Sequence, residues 1–339
     1  MLKNENESNI FSGELLKIGS RDSKLALLQS NLVKNAIESK FPNITCEIVK
    51  IKTQGDKILD TALSKIGDKG LFVKELEVEL VMGNVDIAVH SMKDMPTLNP
   101  KGLSLIPCLK REDVRDVLCL SQEKIDYFKA NPIPECDSYL SHIKTIGTSS
   151  LRRIAQIKSE YPDIEVQDIR GNLNTRFRKL DDSANGFDAI ILAAAGIQRL
   201  ATEDDFFKDR IGEYLDPLVI KPAVAQGALA VEYVTERTAI ETLITSLDSS
   251  EEQKKQNIIL EIERNFLNEL EGGCQIPIGI YSEIKEDTVC FHSSVSSTDG
   301  SESIENRQEF PYHILTPQLG RLIAQDLKKQ GASQLLARA

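Results

Sequence analysis

Gly83-Asn84-Val85-Asp86-Ile87-Ala88-Val89-His90-Ser91-Met92-Lys93-Asp94-Met95-Pro96 is the stretch whose reading decides the fold. Ile87, Ala88 and Val89 form a short apolar run, the pattern of a strand covered on both faces, as in a parallel sheet backed by helices. His90, Ser91 and Met92 lead out of that strand, and Pro96 lacks the N–H needed to continue a ladder. Lys93 and Asp94 are therefore expected at the carboxyl edge of a sheet, where open α/β folds bind ligands. The alternative is a surface turn carrying two solvated charges. His90, at the strand end, is expected to be packed or hydrogen-bonded rather than to act as a ligand.

Outward from this stretch the chain reads as alternating strands and helices. Upstream, Lys69 to Met82 is expected to be helical, with Phe72, Leu76 and Leu80 on one face and Gly83-Asn84 as its stop. Cys46-Glu47-Ile48-Val49-Lys50-Ile51-Lys52 alternates as a strand closed by Thr53-Gln54-Gly55-Asp56. Before it, Lys17 to Ser23 reads as a strand end, a tight turn and a cap supplied by Asp22 or Ser23. A helix with Leu25, Leu28, Leu32 and Ala36 on one face follows.

The same order recurs downstream. Ile146-Gly147-Thr148-Ser149-Ser150-Leu151-Arg152-Arg153 echoes Ile18-Gly19-Ser20-Arg21. Ile164 to Asn172 echoes the strand closing at Gly55-Asp56, and Asn185-Gly186-Phe187-Asp188-Ala189-Ile190-Ile191 echoes Gly83 to Val89. The fold class implied is α/β, two lobes of similar layout with a central cleft. Ser121 to His142 is polar, contains Pro132 and Pro134, and reads as a surface insertion. From about Glu251 a third unit begins. It has a helix with Ile258, Ile262, Leu267 and Leu270 on one face, the break Glu271-Gly272-Gly273, loosely alternating strands to about Phe310, and a closing helix Leu319 to Leu327. This unit is α+β by pattern.

The 339 residues are enough for two or three domains, and 41% hydrophobic with 27% charged residues is an ordinary soluble composition. Met1 to Glu14 has no apolar core of a signal peptide, and the longest apolar run, Ala189 to Ile197, is too short to span a bilayer. A cytoplasmic location is expected. The six cysteines form no Cys-x-x-Cys pair and show no metal-site spacing with histidine, so neither a disulfide framework nor a metal site is expected. A net charge of −11 opposes nucleic-acid binding. Any anion site must concentrate Arg and Lys locally.

Such a concentration is legible. Arg21, Lys93, Arg152, Arg153, Arg170 and Arg176 all stand near strand-to-helix turns, beside hydroxyls and backbone N–H groups at helix N-termini. Any one of them reads better as a solvated charge; six near comparable turns of two lobes read as a ligand site. Asp94 next to Lys93 is placed to accept an N–H and to steady a developing positive charge. Cys274, after two glycines that leave room beside its sulfur, is a candidate covalent attachment point, although a loop thiol in a cytosolic protein is commonly idle.

The motifs Ile18-Gly19-Ser20-Arg21, Lys69-Gly70-Leu71-Phe72-Val73-Lys74-Glu75-Leu76-Glu77, Val89 to Pro96, Ile146 to Arg153, Arg170-Gly171-Asn172-Leu173-Asn174-Thr175-Arg176, Pro222-Ala223-Val224-Ala225-Gln226-Gly227 and Gly272-Gly273-Cys274 resemble the porphobilinogen deaminase (hydroxymethylbilane synthase) family, in family order across nearly the whole chain. The resemblance implies a transferase of porphyrin and haem biosynthesis. Such an enzyme condenses four porphobilinogen molecules into the linear tetrapyrrole hydroxymethylbilane, with release of ammonia. It implies a dipyrromethane cofactor held by a thioether on Cys274, and Asp94 as catalytic carboxylate with Lys93 beside it. Arg21, Ser23, Lys93, Thr148, Ser150, Arg152, Arg153, Arg170 and Arg176 match residues that bind acetate and propionate groups or assist the chemistry, and Gln226 matches a further cleft position.

By the same resemblance the lobes have the type II periplasmic-binding-protein fold, with domain 1 at 1–112 and 228–248, domain 2 at 113–222 and the cofactor-loop domain at 251–339. A monomer is expected, acting on porphobilinogen and bound oligopyrroles, with no nucleic-acid or membrane partner. Lys17 stands where many relatives have Arg, which keeps charge but loses bidentate geometry. The competing reading is a non-catalytic cytosolic receptor for polycarboxylates, which would need neither Gly272-Gly273-Cys274 nor Asp94 among the cations.

Overall fold

The structure, a computed structural model, describes residues 15–57, 72–271 and 276–338. The chain divides into two compact units. The first contains residues 15–57, 72–111 and 228–254; the second contains residues 112–227 and 255–338.

The first unit is built on β1 (Leu15–Arg21), β2 (Thr45–Ile51), β3 (Ile87–Ser91) and β4 (Leu103–Cys108). The second takes β5 (Asp116–Leu120), β6 (Thr145–Gly147), β7 (Glu165–Gln167), β8 (Ala189–Ala193) and β9 (Ile211–Tyr214), and β10 (Leu229–Val234) then returns to the first. The first sheet has the order β2-β1-β3-β10-β4 and the second β7-β6-β8-β5-β9. In each, the first three strands run parallel and the fourth runs antiparallel to its neighbours. These are two copies of the type II periplasmic-binding-protein layout, so the repeat read from the sequence is a repeat of topology.

The echoing motifs do equivalent work. Asp86, just before β3, accepts from the Lys17 backbone N–H at 2.7 Å and donates its own N–H to the Lys17 carbonyl. Asp188, just before β8, accepts from the backbone N–H groups of Lys144 and Thr145 at 2.6 and 3.1 Å and donates to the Thr145 carbonyl. Each aspartate thus pins the start of a buried strand to its parallel neighbour. The first core packs Leu16, Ile18, Ile87, Val89 and Val231 of the sheet against Val33 and Ile37 of the helix Lys24–Lys40. The second packs Leu118, Ile146, Ala189 and Ile191 against Ile157 of the helix Leu151–Glu160.

Several expectations are corrected. The helix Lys24–Lys40 buries Leu28, Gln29, Ser30, Val33 and Ile37, while Leu32 is 37% exposed. The docked stripe is therefore rotated about the axis from the Leu25/Leu28/Leu32/Ala36 stripe, because the flanking sheet selects the face on which Val33 and Ile37 fit. Of the two expected cap candidates the structure selects Ser23: its Oγ accepts from Ala26 N–H at 3.3 Å. The upstream helix runs Lys74–Val81, and the earlier part of the expected range, residues 69–71, lies outside the described residues. The region 121–142 is no mere surface insertion, since a helix Gln122–Ala130 and a short turn at Tyr139–His142 bury Phe128 and Leu140 in the second core.

Residues from Glu251 form the expected α+β unit. A helix spans Glu251–Glu269, and β11 (Ile278–Ile284), β12 (Thr288–Ser296) and β13 (Ser303–Pro311) make an antiparallel sheet, followed by a helix Leu319–Lys329. The first helix buries Ile259, Leu260, Ile262, Glu263 and Phe266, with Leu270 buried just past its end, whereas Ile258 and Leu267 are half-buried. This sheet packs with the second lobe: Ile280 N–H donates to the Pro222 carbonyl, and Lys221 Nζ reaches Glu305 at 2.7 Å.

Candidate functional site

In the first unit β1 and β3 are parallel neighbours, so Arg21 at the end of β1 and the turn after β3 share the carboxyl edge of one sheet. The Arg21 guanidinium lies over the Phe72 ring, 4.2 Å from its centroid. Ser23 is committed to the helix cap. After β3 the chain makes one tight turn, Met92–Asp94, whose flanking Met92 and Met95 are buried. Met92 N–H donates to the Ala228 carbonyl at 3.0 Å and Met95 N–H to the Met92 carbonyl at 3.2 Å. The two methionines anchor the turn, leaving Lys93 half-buried and Asp94 exposed. His90 is buried one step upstream with Nε2 3.0 Å from Glu232 Oε2, so it is packed and hydrogen-bonded as expected.

In the second unit β6 and β7 are parallel, and their ends carry the matching groups. Thr148 N–H donates to the Gln167 carbonyl at 2.9 Å, and Ser149 Oγ donates to the Ile169 carbonyl at 2.6 Å. The loop bearing Thr148 and Ser150 is thereby tied to the loop bearing Arg170. Thr148 Oγ1 accepts from Ser150 N–H at 3.3 Å, and the Ser150 side chain does not cap the helix that follows it. Arg170 is largely covered, with Nε 3.7 Å from an Asp168 carboxylate oxygen. Arg176 Nε donates to the Gly171 carbonyl at 2.9 Å, which joins both ends of this turn. Gly171 has φ +109°, and a Cβ there would meet Thr175 Cγ2 at 2.6 Å, so only glycine fits.

Arg152 and Arg153 are brought together on a residue the sequence reading did not select. Asp116, fully buried at the start of β5, receives Arg153 Nε and Nη2 at 3.1 and 2.7 Å, Arg152 Nη1 at 2.9 Å and Gln226 Nε2 at 2.8 Å. Arg152 Nη1 also donates to the Lys221 carbonyl at 2.7 Å, and Arg153 Nη1 to the Ile191 carbonyl at 2.9 Å. Burial raises the Asp116 pKa, but the Arg152 and Arg153 charges and their hydrogen bonds outweigh it and hold the carboxyl well below the ordinary carboxylate range. Burial in turn lowers the Arg152 pKa, with Asp116 opposing it. One carboxylate against two guanidiniums leaves this group with a surplus positive charge, the sign a polycarboxylate requires. The only sequence signal was an aspartate directly before the apolar run Val117 to Leu120, a costly place for a charge without a partner.

The candidates thus gather as Arg21, Ser23, Lys93 and Asp94 at one edge of the first unit. Thr148, Ser150, Arg170 and Arg176 gather at the ends of β6 and β7, and Arg152, Arg153 and Gln226 on Asp116. Cys274 lies outside the described residues. Lys17 is exposed, its backbone N–H held by Asp86.

Comparison with known proteins adds two family matches. Residues 16–242 match the family described as porphobilinogen deaminase, dipyromethane cofactor binding domain, and residues 257–329 match porphobilinogen deaminase, C-terminal domain. A porphobilinogen deaminase of Prochlorococcus marinus (strain AS9601) is 44% identical over 323 residues, covering 95% of this chain and 96% of the relative. Porphobilinogen deaminases of Synechococcus sp. (strain CC9311) and Synechococcus elongatus (strain ATCC 33912 / PCC 7942 / FACHB-805) are 42% and 43% identical, each covering 95% of this chain and 96% and 94% of the relatives.

Proposed function

The chain belongs to the porphobilinogen deaminase family, and on that premise we propose that it condenses four porphobilinogen molecules head to tail on a dipyrromethane primer held by a thioether to Cys274, with one ammonia released per condensation, and that water then cleaves the bond to the primer to release hydroxymethylbilane. The observation that carries the reading is the Met92–Asp94 turn. An exposed carboxylate stands at a sheet's carboxyl edge, steadied by buried neighbours, with a lysine beside it.

The donor set fits the primer's chemistry. A dipyrromethane presents pyrrole N–H donors and several carboxylates, and the candidates offer one carboxylate acceptor among guanidinium, ammonium and hydroxyl donors. When bound, the primer supplies a nucleophilic pyrrole carbon that accepts the next unit. Asp94 accepts N–H groups of the reacting pyrrole and stabilises the positive charge that develops as ammonia departs. Lys93 and Arg21 receive side-chain carboxylates at the same edge. Ser150, Arg170 and Arg176 receive them at the ends of β6 and β7, where backbone N–H groups of a helix N-terminus add to the field. Arg152 and Arg153, their heads fixed by Asp116, hold the surplus positive charge in place, and Gln226 completes that arrangement.

Domain 1 comprises 1–112 and 228–248, domain 2 comprises 113–222, and 251–339 is the cofactor-loop domain. The enzyme works as a cytoplasmic monomer without nucleic-acid or membrane partners; among the described residues no helix is long and apolar enough to cross a membrane.

The test is the intact mass of the denatured protein with peptide mapping around Cys274. A mass excess of two linked pyrrole units on that cysteine supports the reading. A chain that carries no such mass, and gains none on incubation with porphobilinogen, overturns it in favour of a polycarboxylate receptor.

A further inference from the structure

One face of the three-stranded sheet carries groups that the proposed reaction does not use. β11 and β12 pair antiparallel with Glu283 opposite Cys290 and Tyr281 opposite His292. Side chains alternate along a strand. Val289 and Phe291 point to one side, where Phe291 meets Phe310 with ring centroids 6.1 Å apart, and Cys290 and His292 point to the other. On that second side the donor atoms of Glu283, Cys290 and His292 all lie within 4.8 Å of one another. His292 Nε2 is 3.2 Å from Glu283 Oε2, and the Tyr281 ring stacks on the imidazole at 6.0 Å, which sets the ring's orientation. The sequence offers no hint of this group, because Cys290 and His292 are separated by one residue and Glu283 stands seven before Cys290. Strand alternation and the β11–β12 register assemble it.

We propose that Glu283, Cys290 and His292 form a binding site for one divalent cation of the zinc type. A thiolate sulfur, an imidazole nitrogen and a carboxylate oxygen are the donors such borderline ions take, and three protein ligands leave a fourth position open. Bonds of about 2.0–2.3 Å around a tetrahedral ion place ligand atoms roughly 3.5 Å apart, so the group must close by about an ångström. The Glu283 side chain, more than a third exposed, has the freedom to do so. Glu309 lies opposite Cys290 on β13 and brings a second carboxylate to the same row.

The row already attracts a cation. Lys285 Nζ sits 3.6 Å from a carboxylate oxygen of Glu283 and 3.6 Å from one of Glu309, while Arg307 pairs with Glu309 at 3.1 Å. Lys285 is 39% exposed and turns into water when a dication takes its place. Binding converts the Cys290 thiol to a metal-bound thiolate, with its proton passing to solvent, and uses His292 in its neutral form.

The experiment titrates cobalt(II), a spectroscopic stand-in for zinc, into the holoenzyme. One equivalent is expected to bind with a near-ultraviolet thiolate-to-cobalt band and visible d–d absorption, and zinc is expected to displace it. Cys290→Ser should abolish the thiolate band, His292→Gln should weaken binding by at least about tenfold, and exchanging the exposed Cys136 for Ser should change nothing. Lys285→Ala should tighten binding, because it removes the competing ammonium while sparing every ligand; a merely structural cluster has no reason to show this. A wild-type spectrum without a thiolate band, a band that survives Cys290→Ser, or weaker binding in Lys285→Ala would overturn the proposal.

Discussion

Asp116 receives hydrogen bonds from three side chains, and its charge is what balances the two buried guanidiniums among them. Asp116→Asn keeps the shape but leaves Arg152 and Arg153 buried without an anion, a change expected to destabilise the fold by on the order of 3–5 kcal/mol. The folded-state pKa of Asp116 is depressed, so its contribution is complete above the ordinary carboxylate value of about 3.9 and is lost as pH falls below it. Denaturation of both proteins across pH should show a gap that is widest near neutrality and narrows in acid. Asp94 differs in kind, since it is exposed and its loss leaves no buried charge unpaired. Asp94→Ala should therefore keep the melting temperature while lowering kcat by about 10²–10³-fold, the scale of losing one electrostatic stabiliser of developing charge; steady-state kinetics with porphobilinogen checks this. Asp94 was legible because its sequence neighbours define an edge. Asp116 was not, because its partners come from positions 152, 153 and 226, far along the chain.

Among elements, the approach of the helices Leu319–Lys329 and Glu251–Glu269 is set by Gly320. A Cβ at that position would collide with the Ile262 carbonyl and lie 2.7 Å from the Phe266 backbone N, and helix backbone has no flexible end that can yield. Gly→Ala in an open helix gains up to about 1 kcal/mol of propensity, whereas overpacking costs about 1–3 kcal/mol. Gly320→Ala is expected to destabilise on balance, measured as a lower denaturation midpoint with an unchanged slope. The same helix pair shows the limit of periodicity. A stripe of apolar residues was visible in 251–270, but Ile258 and Leu267 border the buried face and Ile259 and Phe266 occupy it. Helical spacing fixes which residues can share a face; the partner surface picks among adjacent faces.

Across the whole molecule a net charge of −11 coexists with arginines and lysines collected at sheet edges. The bulk charge repels a polycarboxylate, so under the proposed site assignment binding depends on short-range fields at those edges. Between about 0.1 M and about 1 M salt the Debye length falls from about 10 Å to about 3 Å, and KM for porphobilinogen should rise severalfold while kcat changes little. A kcat that fell as steeply as KM rose would place the charges in the chemical step instead.

The repeat of strand order and the carboxyl-edge position of Lys93 and Asp94 were readable from the chain, because each rests on local patterning: apolar runs, caps and the residues immediately after them. Tertiary structure alone decided which face of each helix is buried, that Ser121 to His142 contributes Phe128 and Leu140 to a core, that Arg152 and Arg153 share Asp116, and that Glu283, Cys290 and His292 meet on one sheet face. These depend on register and on contacts between residues distant in sequence. Patterning along a chain carries the period of an element, and the partner it meets in space decides the rest.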